Sequence, residues 1–227
     1  MESKVAIVIT LYDKGPYVAQ AIQSALDQTY PNTEVIVVDD RSVDDSLKIA
    51  DSFDKKILLV ELEENGGLSA ARNVGFNFAW PDIEFLFPLD SDDWIEPTYV
   101  EKTLALMADS QVAIVSSDVV LEGEAHGVER CKTASLEEMK NENRLPGSSL
   151  IRRSVFEEVG GYTEGIKYND WDLWIKILKK GYKAAAVHEP LFHYRILKES
   201  MLRGPRGLSH QECVEQLHRA HPDLWRD

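Results

Sequence analysis

The chain carries only two cysteines, Cys131 and Cys213, far apart and each without a second cysteine nearby. That scarcity argues against a disulfide framework and against a CxxC metal site, and it makes reduced thiols in a cytoplasmic setting the expectation. Positive charge is also in short supply. Lys and Arg total 25 against 39 Asp and Glu, a formal net charge of -14, which repels nucleic acid and anionic lipid unless a local basic patch overrides it, and the sequence contains none. A phosphate-bearing ligand would therefore have to be held by a few locally placed cations. No apolar run approaches the roughly 18 residues of a membrane span. The opening "MESKVAIVIT" enters a strand-like pattern with no charged-then-apolar leader, and neither an internal repeat nor a low-complexity tract is visible.

What is present is apolar and ordered. With 227 residues and 44% hydrophobic content, the chain can bury one sizeable core as one domain or at most two. "VAIVIT" (5–10), "EVIVVDD" (34–40), "KILLVEL" (56–62) and "IEFLFPLD" (83–90) are short and apolar on nearly every residue, the pattern of parallel strands buried on both faces. "GPYVAQAIQSALDQ", "SVDDSLKIADSF" and "GGLSAARNVGFNFA" lie between them with apolar residues at helical spacing. Strand and helix repeating in that order predict an α/β, Rossmann-like, mostly parallel sheet with right-handed crossovers and helices on both faces. Beyond Ser110 the order loosens into an α+β half: "QVAIVSSDVVLEG" reads as a strand, "SLEEMKNE" and "RSVFEEVGG" as helices, and "NDWDLWIKILKKG" as an amphipathic helix closed by Gly181. The expected division is a main domain over 1–203, split at 110/111. "RGPRG" (203–207) then opens a tail over 204–227 that ends in a short helix.

In an open parallel sheet, ligands sit beyond the carboxyl ends of the strands. Asp13 follows the first strand, Asp39 and Asp40 end the second, and "FPLDSDDW" places Asp90, Asp92 and Asp93 after the fourth. A single loop aspartate commonly caps a helix or shapes a turn. Three within one turn repel one another unless a divalent cation neutralises them, and all-oxygen ligands suit Mg or Mn.

The ordered segments "TLYDKGPYVAQAIQSALDQTYPNTEVIVVDDRSVDDS", "NGGLSAARNVG", "PLDSDDW" and "NDWDLWIKI" resemble the inverting glycosyltransferases of family 2, which have the GT-A fold. The likeness runs from Val5 to about Ser200. It implies a donor half over 1–110 that holds a nucleotide-diphospho-sugar and an acceptor half over 111–203. Asp39 matches the residue that reads the nucleotide base, with Asp40 in the same strand-end motif. Asp90 matches the residue near the donor ribose, and Asp92 the ligand of a Mn or Mg ion that bridges the diphosphate. Arg72 matches a donor-contacting cation and Asp170 the catalytic base, while Thr10, Tyr12, Asp13, Gly67 and Ser91 complete the expected donor site. Ser148, Ser149 and Trp171 fall in the acceptor-side region, the two serines being expected to end a strand near the sugar. Trp171 and Trp174 also read as a core stripe with Ile175 and Leu178. His193 of "FHYR" has a counterpart near the family's C-terminal donor loop, although its simpler reading is a strand histidine with its hydrogen bonds met.

The sequence departs from that pattern in three places. Asp13 stands where an amide is usual, Arg41 where Gly is usual, and Asn169-Asp170 where Glu-Asp is usual. The expected partners are a UDP-sugar and a saccharide or glycolipid acceptor, in a surface polysaccharide pathway that associates peripherally with a membrane. Glycosyl transfer suits these residues, because a departing diphosphate gathers negative charge that a metal ion on Asp92 and the charge of Arg72 can stabilise. Two other classes stay open. One is a sugar-nucleotide-binding module without turnover. The other is a sugar-phosphate nucleotidyltransferase, which needs a Gly-rich, Arg- and Lys-bearing signature after the first strand that "LYDKGPY" lacks.

Overall fold

The computed structural model describes residues 3–198 and 208–225, so "RGPRG" lies outside the described residues. Strands β1 (Val5–Leu11), β2 (Thr33–Asp39), β3 (Leu58–Glu61) and β4 (Phe85–Asp90) are connected by helices α1 (Gly15–Leu26), α2 (Ser46–Asp51) and α3 (Leu68–Phe78). They pair in parallel in the order β3-β2-β1-β4, as repeated strand and helix require. The second half contributes β5 (Trp94–Ile95), α4 (Tyr99–Leu106), β6 (Val112–Gly123), β7 (Gly127–Glu129), α5 (Leu136–Met139), β8 (Leu150–Arg152), α6 (Arg153–Glu158), α7 (Asn169–Lys179), β9 (Lys183–Ile196) and α8 (His210–Ala220). Here the pairing is mixed. β8 lies antiparallel between β4 and β6, β9 runs parallel to β6, and β5 lies antiparallel along β9.

The apolar runs follow from burial on both faces. Val5, Ile7, Ile9 and Leu11 pack with Val18, Ile22, Ala50, Tyr99 and Val100 from α1, α2 and α4, whereas Ala6 and Val8 face Ala71, Phe76, Phe156, Trp174 and Leu217 from α3, α6, α7 and α8. The third strand departs from expectation. β3 pairs with β2 alone among the described residues, and Leu58 is 38% exposed; "KILLVEL" is an edge strand only partly buried, with Ile57 and Leu59 toward one core layer and Val60 and Leu62 toward the other, rather than an interior strand fully buried on both faces. No helix among the described residues is long and apolar enough to cross a membrane.

Two contacts fix the layer beneath the sheet. The backbone of α3 passes so close to β1 and β2 that a Cβ at Gly75 would lie 2.3 Å from Val8 Cγ1 and 2.9 Å from Val38 Cγ2. The C-terminal helix, capped by a Ser209–Glu212 capping box, is fastened to α7. Beyond it, the His221 Nε2 lies 2.8 Å from Oδ1 of the buried Asp172, whose Oδ2 accepts from the Thr163 hydroxyl at 2.6 Å. Burial pushes the Asp172 carboxyl up, but the hydrogen bonds from His221 and Thr163 and the charge of Lys176 outweigh it and hold the group below its ordinary value.

Gly75→Ala is expected to destabilise the fold by about 1–3 kcal/mol through overpacking, well beyond the gain of up to about 1 kcal/mol from better helix propensity. An unchanged urea midpoint would contradict this. For Asp172 the folded value is depressed, so its contribution is present above the unfolded value and is lost as pH falls through the folded one. Asp172→Asn should therefore cost about 3–5 kcal/mol at pH 7, with a deficit that shrinks below about pH 4. Urea titrations of both proteins between pH 3 and 7 measure it.

Candidate active site

Strand register assembles the site. Leu11 pairs with Asp39 and Thr10 with Asp90, so the ends of β1, β2 and β4 stand level at one edge of the sheet. The chain leaves β1 for β2 on one side, with β4 on the other, and a crevice opens at such a reversal. Asp39 is 3% exposed; its Oδ2 accepts from the Ser42 amide at 3.1 Å, and its buried Oδ1 has no partner among the described residues. The buried Asp40 is fully engaged. Its two oxygens accept from the amides of Gly66 and Gly67 at 2.7 and 2.8 Å, and its carbonyl accepts from the Asn65 side chain. Burial raises the Asp40 carboxyl and the two amides pull it back. Gly67, at φ 82, needs the freedom of glycine. With its amide given to Asp40, what Gly67 offers a ligand is room.

Asp13 and Arg41 both adopt left-handed backbone, at φ 50 and 68, a conformation that side chains disfavour. Their loops are laced together: the Asp13 amide donates to Ser42 Oγ at 3.1 Å, Asp13 Oδ1 accepts from the Val43 amide at 2.8 Å, and the Lys14 amide donates to Ser46 Oγ at 2.8 Å. Tyr12 stands at this rim, 47% exposed, and the Thr10 hydroxyl donates to Asp90 at 3.4 Å.

The aspartate turn does not gather three carboxylates on one ion. Asp90 pairs with Arg72 Nη2 at 2.7 Å and Asp92 Oδ2 with Lys14 Nζ at 2.9 Å. Asp93 turns into the fold, where its Oδ1 accepts from the Arg195 amide at 2.8 Å. Two cations and one backbone amide thus offset part of the repulsion within the turn. Burial and then Asp90 push the Asp92 carboxyl up against the pull of Lys14, and Asp93 is held well above its ordinary value by burial, Asp90 and Asp92. The Arg195 guanidinium reaches the Asp92 carbonyl and Gln20 and lies 4.8 Å over the Tyr17 ring; the buried Ser91 sits inside this turn. Among the described residues no group of three or more His, Cys, Asp or Glu side chains could hold a metal ion. Of the turn, Asp92, whose Oδ2 meets Lys14 at the rim, is the residue that would hold Mg or Mn, an oxygen donor of the kind these ions take.

Arg72, inside α3, is 2% exposed. Its Nη1 donates to Asn169 Oδ1 at 3.0 Å, its Nη2 to Asp90, and it lies 5.2 Å over the Tyr162 ring. Burial opposes its charge, and Asp90 above all restores it. The next residue of α7, Asp170, is half-buried and accepts from Asn143 Nδ2 at 2.8 Å. A helix start favours an ionised carboxylate, yet the Asp170 carboxyl is raised. Burial outweighs the opposing pull of Arg72, the Trp171 amide and Asn143.

The acceptor-side expectations fare differently. Trp171 is 4% exposed, packed in the core with its indole N–H on the Met139 carbonyl at 2.7 Å, so its ring offers no open face. Ser148 and Ser149 come before β8 rather than ending a strand, and both are buried. The Ser149 hydroxyl is used internally, bonded to Ser116 Oγ and the Pro146 carbonyl, each at 2.7 Å. His193 is a strand histidine with both ring nitrogens met, 3.0 Å from Glu122 and from Glu96, and its ring stacks on Trp94. Sequence reading passed over Lys14, Asn143, Tyr162 and Arg195. For Lys14 the signal was available, as a lone cation after the first strand of an acidic chain. Arg195 is the last residue of the "FHYR" noted for its histidine, and Asn143 and Tyr162 sit in loops without periodicity.

Residues 6–160 match the model of the family described as Glycosyl transferase family 2. Glycosyltransferase GlyG of Streptococcus pneumoniae is 25% identical over 232 residues, covering 92% of this chain and 76% of GlyG. The amylovoran biosynthesis glycosyltransferase AmsE of Erwinia amylovora is 27% identical over 228 residues, covering 94% of this chain and 84% of AmsE. Among solved structures, S. aureus TarS 1-349 in complex with UDP-GlcNAc matches with a TM-score of 0.80 at 19% identity, over 97% of this chain and 66% of that one. The mannosyltransferase PcManGT from Pyrobaculum calidifontis, in complex with GDP-Man and Mn2+, matches with a TM-score of 0.70 at 17% identity, over 99% of this chain and 72% of that one. The chain thus spans just under two thirds of the TarS fragment, and its fold is the GT-A arrangement of these neighbours.

Proposed function

The chain belongs to glycosyl transferase family 2, and from that membership we propose that it transfers a sugar from a UDP-sugar to a hydroxyl of a saccharide or glycolipid acceptor, with inversion. The setting we infer is the cytoplasmic side of surface polysaccharide synthesis, in keeping with the similarity to AmsE. The observation that carries the base assignment is Asp39, a buried carboxylate with one oxygen on Ser42 and the other unpartnered. An unmet buried acceptor favours a ligand that brings a donor, and the imide N–H of uracil supplies one. Tyr12, exposed beside it, offers a ring face to the base.

In the reaction we infer, the acceptor oxygen forms its bond to the anomeric carbon on the face opposite the diphosphate. The bond to the diphosphate breaks with its electron pair leaving on UDP, and the acceptor proton passes to Asp170. The raised carboxyl of Asp170 suits this task, since a base nearer neutrality takes a proton more readily. Arg72 supplies a fixed positive field beneath the diphosphate and needs no reorganisation, because Asp90 and Asn169 already hold it. A divalent ion on Asp92 and the diphosphate would act as a Lewis acid toward the leaving group.

Calorimetry should rank UDP above GDP and CDP. Asp39→Ala is expected to weaken UDP about tenfold to a hundredfold, the worth of a charge-assisted hydrogen bond; tighter binding of GDP or CDP would overturn the uridine assignment. Asp170→Asn is expected to keep UDP affinity while lowering turnover about 10²-fold or more. In the unaltered protein, turnover should fall as pH drops through a value above the ordinary aspartate range. Near-normal turnover by the variant at saturating donor and acceptor would return Asp170 to a structural role.

A further inference from the structure

The segment between α5 and β8 crosses the mouth of the site over Asp170, and its conformation is tightly specified. Ser135 and Glu138 form a capping box at the start of α5, Met139 is fully buried, and its carbonyl is held by the Trp171 indole. Arg144 pairs with both Glu138 and Glu142, and the buried Leu145 closes the turn. Asn143 is exposed at this turn, with its amide set from both ends: Oδ1 accepts from the Leu145 amide at 3.3 Å, and Nδ2 donates to Asp170 Oδ2 at 2.8 Å. A flipped amide would set an oxygen against the carboxylate. Gly147 lies on the same side, with room for no more than an ordinary contact, since a Cβ built there would lie 3.5 Å from Asp170 Oδ2. Asp170 Oδ2 is thus the oxygen that this segment holds.

We propose that Asn143 is the positioning residue for the base, holding Oδ2 of Asp170 so that Oδ1 faces the acceptor hydroxyl. The inference rests on the reading of Asp170 as the base. A neutral amide suits the role because it orients a carboxylate and leaves it basic, whereas a cation at the same distance would keep it ionised and weaken it as a base. The other groups that bear on Asp170 are the Arg72 cation from α3, the backbone amides of Trp171 and of Asp170 itself at the start of α7, and the Tyr162 and Tyr168 rings from the loop before α7, with Asp90 behind Arg72. None of them comes from the segment that carries Asn143, so removing the amide leaves them in place.

The experiment follows the side-chain carboxyl carbon of Asp170 by 13C NMR, assigned with Asp170→Asn, through a pH titration of the unaltered protein and of Asn143→Ala. In parallel, UDP affinity is measured by calorimetry, and turnover with the nucleotide sugar that the unaltered protein consumes fastest from a panel of UDP-, GDP- and CDP-sugars. The amide stabilises the ionised carboxylate, so its loss should move the titration midpoint upward. The acid limb of the turnover profile should shift the same way, turnover should fall about tenfold, and UDP affinity should stay unchanged. Asn143→Asp, of equal size and opposite effect, should move the midpoint further up. A midpoint that is the same in Asn143→Ala and the unaltered protein overturns the proposal, even where Asp170→Asn has lost turnover. Full turnover by Asp170→Asn would instead remove the base reading, and the proposal with it.

Discussion

The buried guanidinium of Arg72 is the hinge of the arrangement. One arm is bonded to Asp90 at the end of β4 and another to Asn169 at the start of α7, so a single planar cation ties the parallel half of the sheet to the helix that carries Asp170. A lysine could not span both partners, because a point charge lacks the fork. Were the guanidinium absent, a carboxylate and a buried amide would both lose their partner, which costs far more than the pair contributes over water. The strand register sets the ends level, and Arg72 joins the end of β4 to the entry of α7.

The charge economy around it is local. A chain with a formal charge of -14 would repel a nucleotide diphosphate at long range, and the few cations near the crevice are placed against specific acceptors. Lys14 meets Asp92, Arg195 bonds the backbone of the aspartate turn and braces it against Tyr17 and Gln20, and Arg72 lies below. Asp90 and Asp92 thus each face a cation and Asp93 a backbone amide, and these contacts give the turn a defined shape.

The parallel half was legible because its information is local. Runs such as "VAIVIT" and "IEFLFPLD" can be covered only on two faces, and the helices between them repeat at helical spacing. Asp39 and Asp90 could be singled out because strand ends point to the crevice, whereas Arg72, inside α3, stood out only through the family resemblance of "SAARN". The mixed half was less readable. β5 and β8 are two and three residues long, too short for a periodic signal, and β9 is interrupted by Pro190, where its register with β6 shifts. β3 looked interior because apolar composition does not say how many neighbours a strand has. The fate of individual side chains was least accessible: that Asp93 turns inward to the Arg195 amide, or that Asp40 is used up by two glycine amides, depends on segments over a hundred or some twenty-five positions away in the chain.

That use of Asp40 has a kinetic side. By fastening Gly66 and Gly67 to the end of β2, it turns the loop before α3 into a fixed wall of the crevice. A hinged lid needs a segment with few anchoring bonds, and this one has three, counting Asn65 on the Asp40 carbonyl. A ligand therefore meets that side of the crevice by rigid docking. Whatever opening and closing limits its exchange must come from another part of the rim.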